Sequence, residues 1–463
     1  MTGIISLIIY ALIMVGATLI FTRRESGGEN FHVGGRNMGT VISAMSIAAT
    51  WIWAPALFTS AEKAYINGFA GLFWFLVPNV LCLILFIPFA KRIRKEMPEG
   101  ITLSGYMYAK YKSKAVRNTY LFQLAVLAVL STAVQLLAGG KILSVVTGLP
   151  LWAMAVILAV IAFSYSQISG IRASVLTDGI QMVFLLIACA VFVPWALKVN
   201  GGISAVRISG VSGEYSRLLS GKGLEVFIGF GLPAAIGLFA GPFGDQCFWQ
   251  RAFSVRKDRI GRAFSLGAVF FAIIPLSMGM LGFVAAGTDF VPVETGNVSF
   301  ELIRALFPAW VMIPFMFMLV SGLLSTVDSN LCAVASLTTD IWKGGSPAIG
   351  KAAMAGVLLA GILIANIPGL TVTHMFLFYC TFRAATMLPT MLTLAGVKMK
   401  PAGMTAGIVS ALVVGIPVFA YGTICNIAVY KTTGSLLTVL TAGIVALAVS
   451  KPSKTGGKGQ HGK

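Results

Sequence analysis

About thirteen stretches of this chain are long and apolar enough to cross a hydrocarbon core, and they follow one another with few residues between them. They run at roughly 3–22, 40–62, 66–90, 117–146, 150–168, 173–196, 224–245, 263–286, 309–341, 349–368, 372–396, 402–421 and 433–450. A bilayer core about 30 Å thick takes about 20 helical residues, and lipid offers no partner to an exposed peptide group. Segments of this length and spacing therefore predict an all-α polytopic membrane protein. Composition agrees: 57% of the 463 residues are hydrophobic and 11% charged, where soluble domains carry about 25% charge. No extended polar region remains for a second folded unit, so residues 1–450 read as one membrane domain. Residues 451–463, KPSKTGGKGQHGK, read as a low-complexity, disordered basic tail.

The net charge of +19 is an orientation signal rather than a nucleic-acid footprint. With the N-terminus outside, the inward-facing connections hold 25 of the 34 Lys and Arg, including Arg23, Arg24, Arg36, the cluster 91–117, Arg172, the group 251–262 and Lys343. The expected outer loops carry Glu214, Asp289, Glu294 and Glu301, and Arg207 falls in the long loop after the sixth span. That asymmetry predicts an N-out, C-in chain in a plasma (inner) membrane. The first stretch lacks a basic leader and a small-residue cleavage site, so it reads as a retained helix. Six cysteines are scattered without a CxxC pair, which predicts core packing rather than metal or disulfide chemistry.

Polar groups inside a membrane are costly and mark pathways or packed interiors. Four places stand out. In the second span, SAMSIAATWIWAPALFTS, Pro55 removes a backbone donor and predicts either an unwound segment or a kink. In the sixth, SGIRASVLTDGIQ, Asp178 and Gln181 share a helix face. In the ninth, Ser325, Thr326, Asp328 and Ser329 crowd oxygens into little more than one turn, the ligand type hard cations take. In the eleventh, Arg383 can snorkel, pair with an aspartate, or meet an anionic group on a solute. Trp51 and Trp53 can stack on a planar solute or serve as packing, and Asn79 and Gln135 are further polar contacts inside spans.

No P-loop, ATPase signature or catalytic constellation occurs, and the three His are dispersed. The chain reads as no enzyme. An ion gradient is then the energy source for uphill transport, without a cofactor.

Five segments in order resemble the sodium:solute symporter family, whose members include sodium/proline, pantothenate, sialic-acid, sodium/glucose and urea-type permeases. They are ENFHVGGRNMG (29–39), MPEGITLSGYMYAKYKS (97–113), SGIRASVLTDGIQ, GDQCFWQRAFSVR (244–256) and STVDSNLCAVASLTTDIWK. The resemblance covers about residues 5–450. It implies a leucine-transporter-like fold of two inverted five-helix repeats, 40–196 and 224–396, with a leading helix (3–22) and trailing helices (402–450). In such folds the broken first helix of each repeat holds solute and ions near the midplane. Carried over by motif, a primary sodium site would use the carbonyls of Ala49, Ile52 and Gly322 and the hydroxyls of Ser325 and Thr326. The run from Ser336 to Asp340 is one residue shorter than the family's, so these hydroxyls are aligned on the match before it. A second cation site, present in some members, would use Asp178, Ser325, Asp328 and Ser329. Candidate solute contacts are Trp51, Trp53, Asn79, Gln135 and Arg383, and TWIWAPAL with GFAGLFW resembles the urea-permease branch. The implied function is sodium-coupled uptake of a small polar solute, urea-like or another small planar or amino-acid-like molecule. Proton coupling on the same fold, a passive channel and a non-transporting sensor are the competing readings.

Overall fold

The computed structural model describes residues 2–22, 28–200, 202–204, 217–288, 290–342 and 346–450. The tail 451–463 lies outside them, as do Arg23, Arg24, Arg207, Glu214, Asp289 and Lys343 of the charge pattern. The described chain is helical, with a single isolated β-bridge, Met38 to Val255, and no strand among the described residues. Twelve helices are long and apolar enough to span a membrane, and Thr40–Trp51 is a shorter apolar one.

In chain order the principal helices are α1 (Thr2–Phe21), α2 (Thr40–Trp51), α3 (Thr59–Glu96), α4 (Lys114–Thr147), α5 (Leu151–Ser169) and α6 (Ile171–Val199). There follow α7 (Leu232–Gly244), α8 (Gln246–Ser254), α9 (Ile260–Gly287), α10 (Met312–Leu337) and α11 (Pro347–Ala365). The last are α12 (Val372–Ala384), α13 (Met387–Ala395), α14 (Pro401–Ile424) and α15 (Ala428–Ser450).

Two expected spans divide differently from their apolar patterns. The second, 40–62, breaks after Trp51, and its C-terminal half runs on into the third. The join is Gly68, at φ 53° and ψ −143°, a conformation open to glycine and strained for any L side chain. The seventh, 224–245, ends at Asp245, whose extended backbone (φ −102°, ψ 117°) separates α7 from α8. Apolar length alone hides both breaks, because the residues on either side are equally hydrophobic.

One end of the bundle is tied shut by the segment 97–113. Asp340 accepts from Thr102 Oγ1 (2.8 Å) and Ser104 Oγ (2.5 Å). Gln246, at the start of α8, accepts from the Leu103 N–H (3.1 Å) and donates to the Ile101 carbonyl (3.0 Å). Arg36 donates to the carbonyls of Gly100 and Glu99. Beside this closure, Phe86, Phe243, Trp249 and Phe264 pack edge-on or tilted with centroids 4.6–6.2 Å apart, geometry that favours ring quadrupoles. Five cysteines are buried; Cys425, just past α14, is exposed and departs from the expected core packing.

Candidate ion and solute sites at two broken helices

The break after α2 follows from missing and diverted donors. In a continuous helix the Trp51 carbonyl would accept from residue 55, but Pro55 has no N–H. The Ala54 N–H, which would serve Thr50, donates to Gln135 Oε1 on α4 (2.7 Å). The Ala56 N–H, which would serve Ile52, donates to the Trp53 carbonyl (2.8 Å). Carbonyls at 50–52 are therefore released from the helical ladder, and α10 supplies what faces them. Ser325 Oγ lies 2.8 Å from the Ala49 carbonyl and 3.1 Å from that of Gly322. Thr326 Oγ1 lies 3.1 Å from the Thr50 carbonyl and 3.4 Å from that of Ile52.

The oxygens expected to hold sodium fall in two buried groups, Ser325 with the Ala49 and Gly322 carbonyls and Thr326 with those of Thr50 and Ile52. Na+ is close in size to Ca2+, whose oxygens sit at about 2.3–2.6 Å, hence about 3.2–3.7 Å from one another at right angles. The observed separations of 2.8–3.4 Å are near that range. The set contains carbonyls and hydroxyls and no carboxylate, so a monovalent cation fits it better than a divalent one. A bound cation would pin α10 to the break.

Of the second expected cluster, Asp178, Ser329 and Asp328 are linked through Arg251, which sequence reasoning placed elsewhere, while Ser325 bonds to the Ala49 and Gly322 carbonyls instead. Asp178 and Asp328 are both fully buried. Asp178 Oδ2 accepts from Ser46 Oγ (2.6 Å) and from Arg251 Nη2 (2.8 Å). Arg251 also donates to Ser329 Oγ (2.7 Å) and Ser46 Oγ (3.0 Å). Asp328 accepts from Ser174 (2.8 Å), Thr177 (3.2 Å) and Ser329 (3.3 Å). The expectation that Arg251 belongs to an inward-facing basic loop is wrong: it lies on α8, 1% exposed. Its neighbours Arg256 and Arg259 do lie exposed with Asp258, and that run of charge disguises the buried member. Gln181, on the Asp178 face, donates to Tyr10 OH of α1 (2.8 Å).

Next to the oxygen cluster lies a small cavity of about 10 Å³, room for about one water. Trp51, Trp53, Ser131, Asp245, Phe248, Thr326, Asn330, Tyr379 and Arg383 line it. Trp51 and Trp53 stack with centroids 6.1 Å apart. The Arg383 guanidinium sits 5.2 Å from the Trp51 ring, 5.5 Å from Trp53 and 4.8 Å from Tyr379, within cation–π reach of all three. Of the three roles open to Arg383, the structure shows pairing with an aspartate: Nη1 is 3.5 Å from Asp245 Oδ2, while Nε donates to the Gly237 carbonyl (2.6 Å).

Trp51, Trp53 and Arg383 meet the expectation of a shared cavity. Asn79 and Gln135 are not among its lining residues; both serve backbone geometry. Asn79 Nδ2 donates to the Phe75 carbonyl of its own helix (2.7 Å), its main-chain carbonyl accepts from Trp51 Nε1 (3.1 Å), and Gln135 Oε1 accepts from the Ala54 N–H just past the end of α2. Sequence reasoning missed Asp245, Tyr379, Ser131 and Asn330. Asp245 was visible in GDQCFWQR, between Gly244 and a polar run at the end of an apolar span.

Close approach of α7 to this wall depends on Gly241, where a Cβ would fall 2.2 Å from Trp51 Cη2 and 3.1 Å from Arg383 Nη1. Gly241→Ala is expected to displace the Trp51 ring at a cost of about 1–3 kcal/mol. It raises the solute KM and leaves the sodium half-saturation little changed, as initial-rate uptake at varied sodium will show.

Two discontinuous helices, buried oxygens released from one of them and a polar cavity beside them define a secondary transporter rather than an enzyme. A model for the sodium:solute symporter family matches residues 31–407, and the chain belongs to that family. A urea–proton symporter of Oryza sativa is 23% identical over 91% of this chain and 65% of its own length. A sodium/pantothenate symporter of Escherichia coli is 28% identical over 43% of each chain. The chain spans about half to two thirds of the length of the urea-transporter relatives it matches, 52–65% for three of them. Among solved structures, a Na+-coupled sialic acid symporter in a substrate-bound, outward-open state superposes with a TM-score of 0.78. That match covers 97% of this chain and 98% of the other at 17% identity. The fold is leucine-transporter-like, as the motifs imply, and the protein is a multi-pass membrane protein of that family.

Proposed function

We propose that this protein couples inward movement of sodium to uptake of a small polar solute by alternating access. The observation that carries the reading is Thr326. Its hydroxyl touches the released carbonyls of Thr50 and Ile52, and the same residue lines the cavity whose wall is Trp51 and Trp53. A cation held by Ala49, Ile52, Gly322, Ser325 and Thr326 fixes the break that shapes the solute wall, so each ligand favours the other's binding conformation. In linkage terms, the two affinities then rise together.

The repeats are 40–196 and 224–396, each opening with a broken helix, at residues 52–53 and at Asp245 respectively. With the N-terminus outside, the end tied by Asp340 and Gln246 faces inward. A wider space of about 250 Å³, lined by Phe58, Glu62, Lys141, Glu294 and Thr371, then faces outward. One side closed and the other open is what alternating access requires of any single state.

Purified protein tests the ion site without knowledge of the solute. Sodium at a hundred times its Kd should stabilise the folded state by about 2.7 kcal/mol, and potassium should not. Equal melting temperatures in sodium and potassium would remove the site. A proton-coupled second reading draws on the name of the Oryza sativa relative and on a charge count: Asp178 and Asp328 face one guanidinium, Arg251.

A further inference from the structure

Several basic side chains around the tied end of the bundle are already committed. Arg92 donates to Glu96 Oε1 (2.9 Å) and Lys110 to Glu96 Oε2 (3.0 Å), while Arg36 pairs with Glu99, and Arg256 and Arg259 with Asp258. Lys91 and Lys95, on α3, have no carboxylate partner among the described residues. We propose that these two lysines form a seat for the phosphodiester of an anionic phospholipid whose acyl chains lie along the apolar faces that α3 and α9 expose side by side.

The third expected span ends at about residue 90, which puts Lys91 at the edge of the hydrocarbon. The residues that α3 exposes on this face recur at helical spacing: Leu81, Ile84 and Leu85, then Pro88, then Lys91, Arg92 and Lys95. The face thus turns from apolar to basic within two turns, about 10 Å from Ile84 to Lys91 at about 1.5 Å per residue. Helix α9 packs antiparallel against it. A Cβ at Gly279 would fall 2.6 Å from Leu72, and one at Gly261 would fall 3.0 Å from both Cε and Nζ of Lys91. The bare backbone at Gly261 lets the Lys91 stem lie across α9 and holds its ammonium at the junction of the two helices. Along its own exposed face α9 carries Val269, Ile273 and Leu276, with Arg262 at the Lys91 end.

An open recess of about 540 Å³ is lined there by Pro88, Lys91, Arg92, Lys95 and Glu96. Its three cations face one carboxylate, and that carboxylate already accepts from Tyr106 OH (2.6 Å) and Lys110 as well. The lining is therefore two positive charges in excess. Lys91 and Lys95 stand one helical turn apart, a spacing that brings both ammonium groups to one anion. Long lysine stems reach interfacial phosphates while staying packed on apolar surface, and basic recesses at this depth suit anionic headgroups. A zwitterionic headgroup would bring its own cation to a recess already rich in them, whereas phosphatidylglycerol brings phosphate and hydroxyls. A soluble anion would answer the charge and leave the apolar stripe uncovered. A phospholipid answers both.

Purified full-length protein in a non-ionic detergent is titrated with phosphatidylglycerol, phosphatidylcholine or inorganic phosphate while its melting temperature is followed. The expected result is a saturable rise with phosphatidylglycerol and no comparable rise with the other two. Lys91→Gln with Lys95→Gln should raise the phosphatidylglycerol fraction for half the effect by roughly 30-fold, the loss for two lysines beside an anionic headgroup. Lys91→Arg with Lys95→Arg should keep the native response. Lys112→Gln with Lys114→Gln removes equal charge from exposed positions at the same end of the bundle, and it should leave the titration unchanged. An equal loss in that variant overturns the proposal, because a general surface field and not a seat is then at work. So does a native protein that responds equally to phosphatidylcholine, or to neither lipid. An equal rise with inorganic phosphate overturns it too, by making the recess a soluble-anion site. The three titrations of the unaltered protein decide even where a Gln variant does not fold.

Discussion

Replacing Ser325 and Thr326 together with Ala is expected to raise the sodium concentration for half-maximal uptake by roughly 30-fold or more, at about 1–3 kcal/mol for each polar partner lost. The hydroxyls are two of the five oxygens proposed to hold the ion, and without them three carbonyls remain. Both hydroxyls bond to carbonyls of the break and of their own helix, so their loss removes no bond to another part of the bundle. The variant should therefore insert and fold. Potassium-independent melting measurements on the same sample separate folding from ion binding. A double variant with unchanged sodium dependence removes the primary site from these residues.

Arg251→Met is expected to cost about 3–5 kcal/mol of stability, because removing one partner of a buried pair leaves the other uncompensated. Asp178 is fully buried, and Arg251 is its salt-bridge partner among the described residues. The double variant Asp178→Asn with Arg251→Met should recover most of that loss, since a neutral pair of similar volume carries no desolvated charge. Thermal unfolding in detergent reads both. If the single variant melts with the native protein, Arg251 does not hold Asp178; if the double is as unstable as the single, the arginine acts through Ser46 and Ser329 instead.

The spans, the break at Pro55 and the hydroxyl run of α10 were legible because each follows from local chemistry: apolar length, a missing N–H, an i to i+4 face. What was not legible is partnership. Sequence shows that Arg383 in a span must have a counter-group, but Asp245 is 138 residues away and sits at a helix break that apolar length conceals. Asn79 and Gln135 were rightly read as polar groups buried in spans. Gln135 takes the Ala54 N–H freed past the end of α2, while the Asn79 side chain turns back to the Phe75 carbonyl of its own helix, and only the packed structure shows either. Arg251 was misplaced for a related reason: short α8 carries the buried guanidinium and ends just before an exposed basic run from Arg256, so composition averaged over a dozen residues reads as loop.

The most direct test of coupled transport is solute accumulation in proteoliposomes under equal inward gradients of sodium, protons or potassium. A panel of small polar solutes that includes urea is supplied outside. The account predicts accumulation above the external concentration with the sodium gradient alone, abolished when an ionophore collapses it and in the Ser325→Ala, Thr326→Ala protein. Accumulation driven only by protons, or equal filling without any gradient, would contradict it.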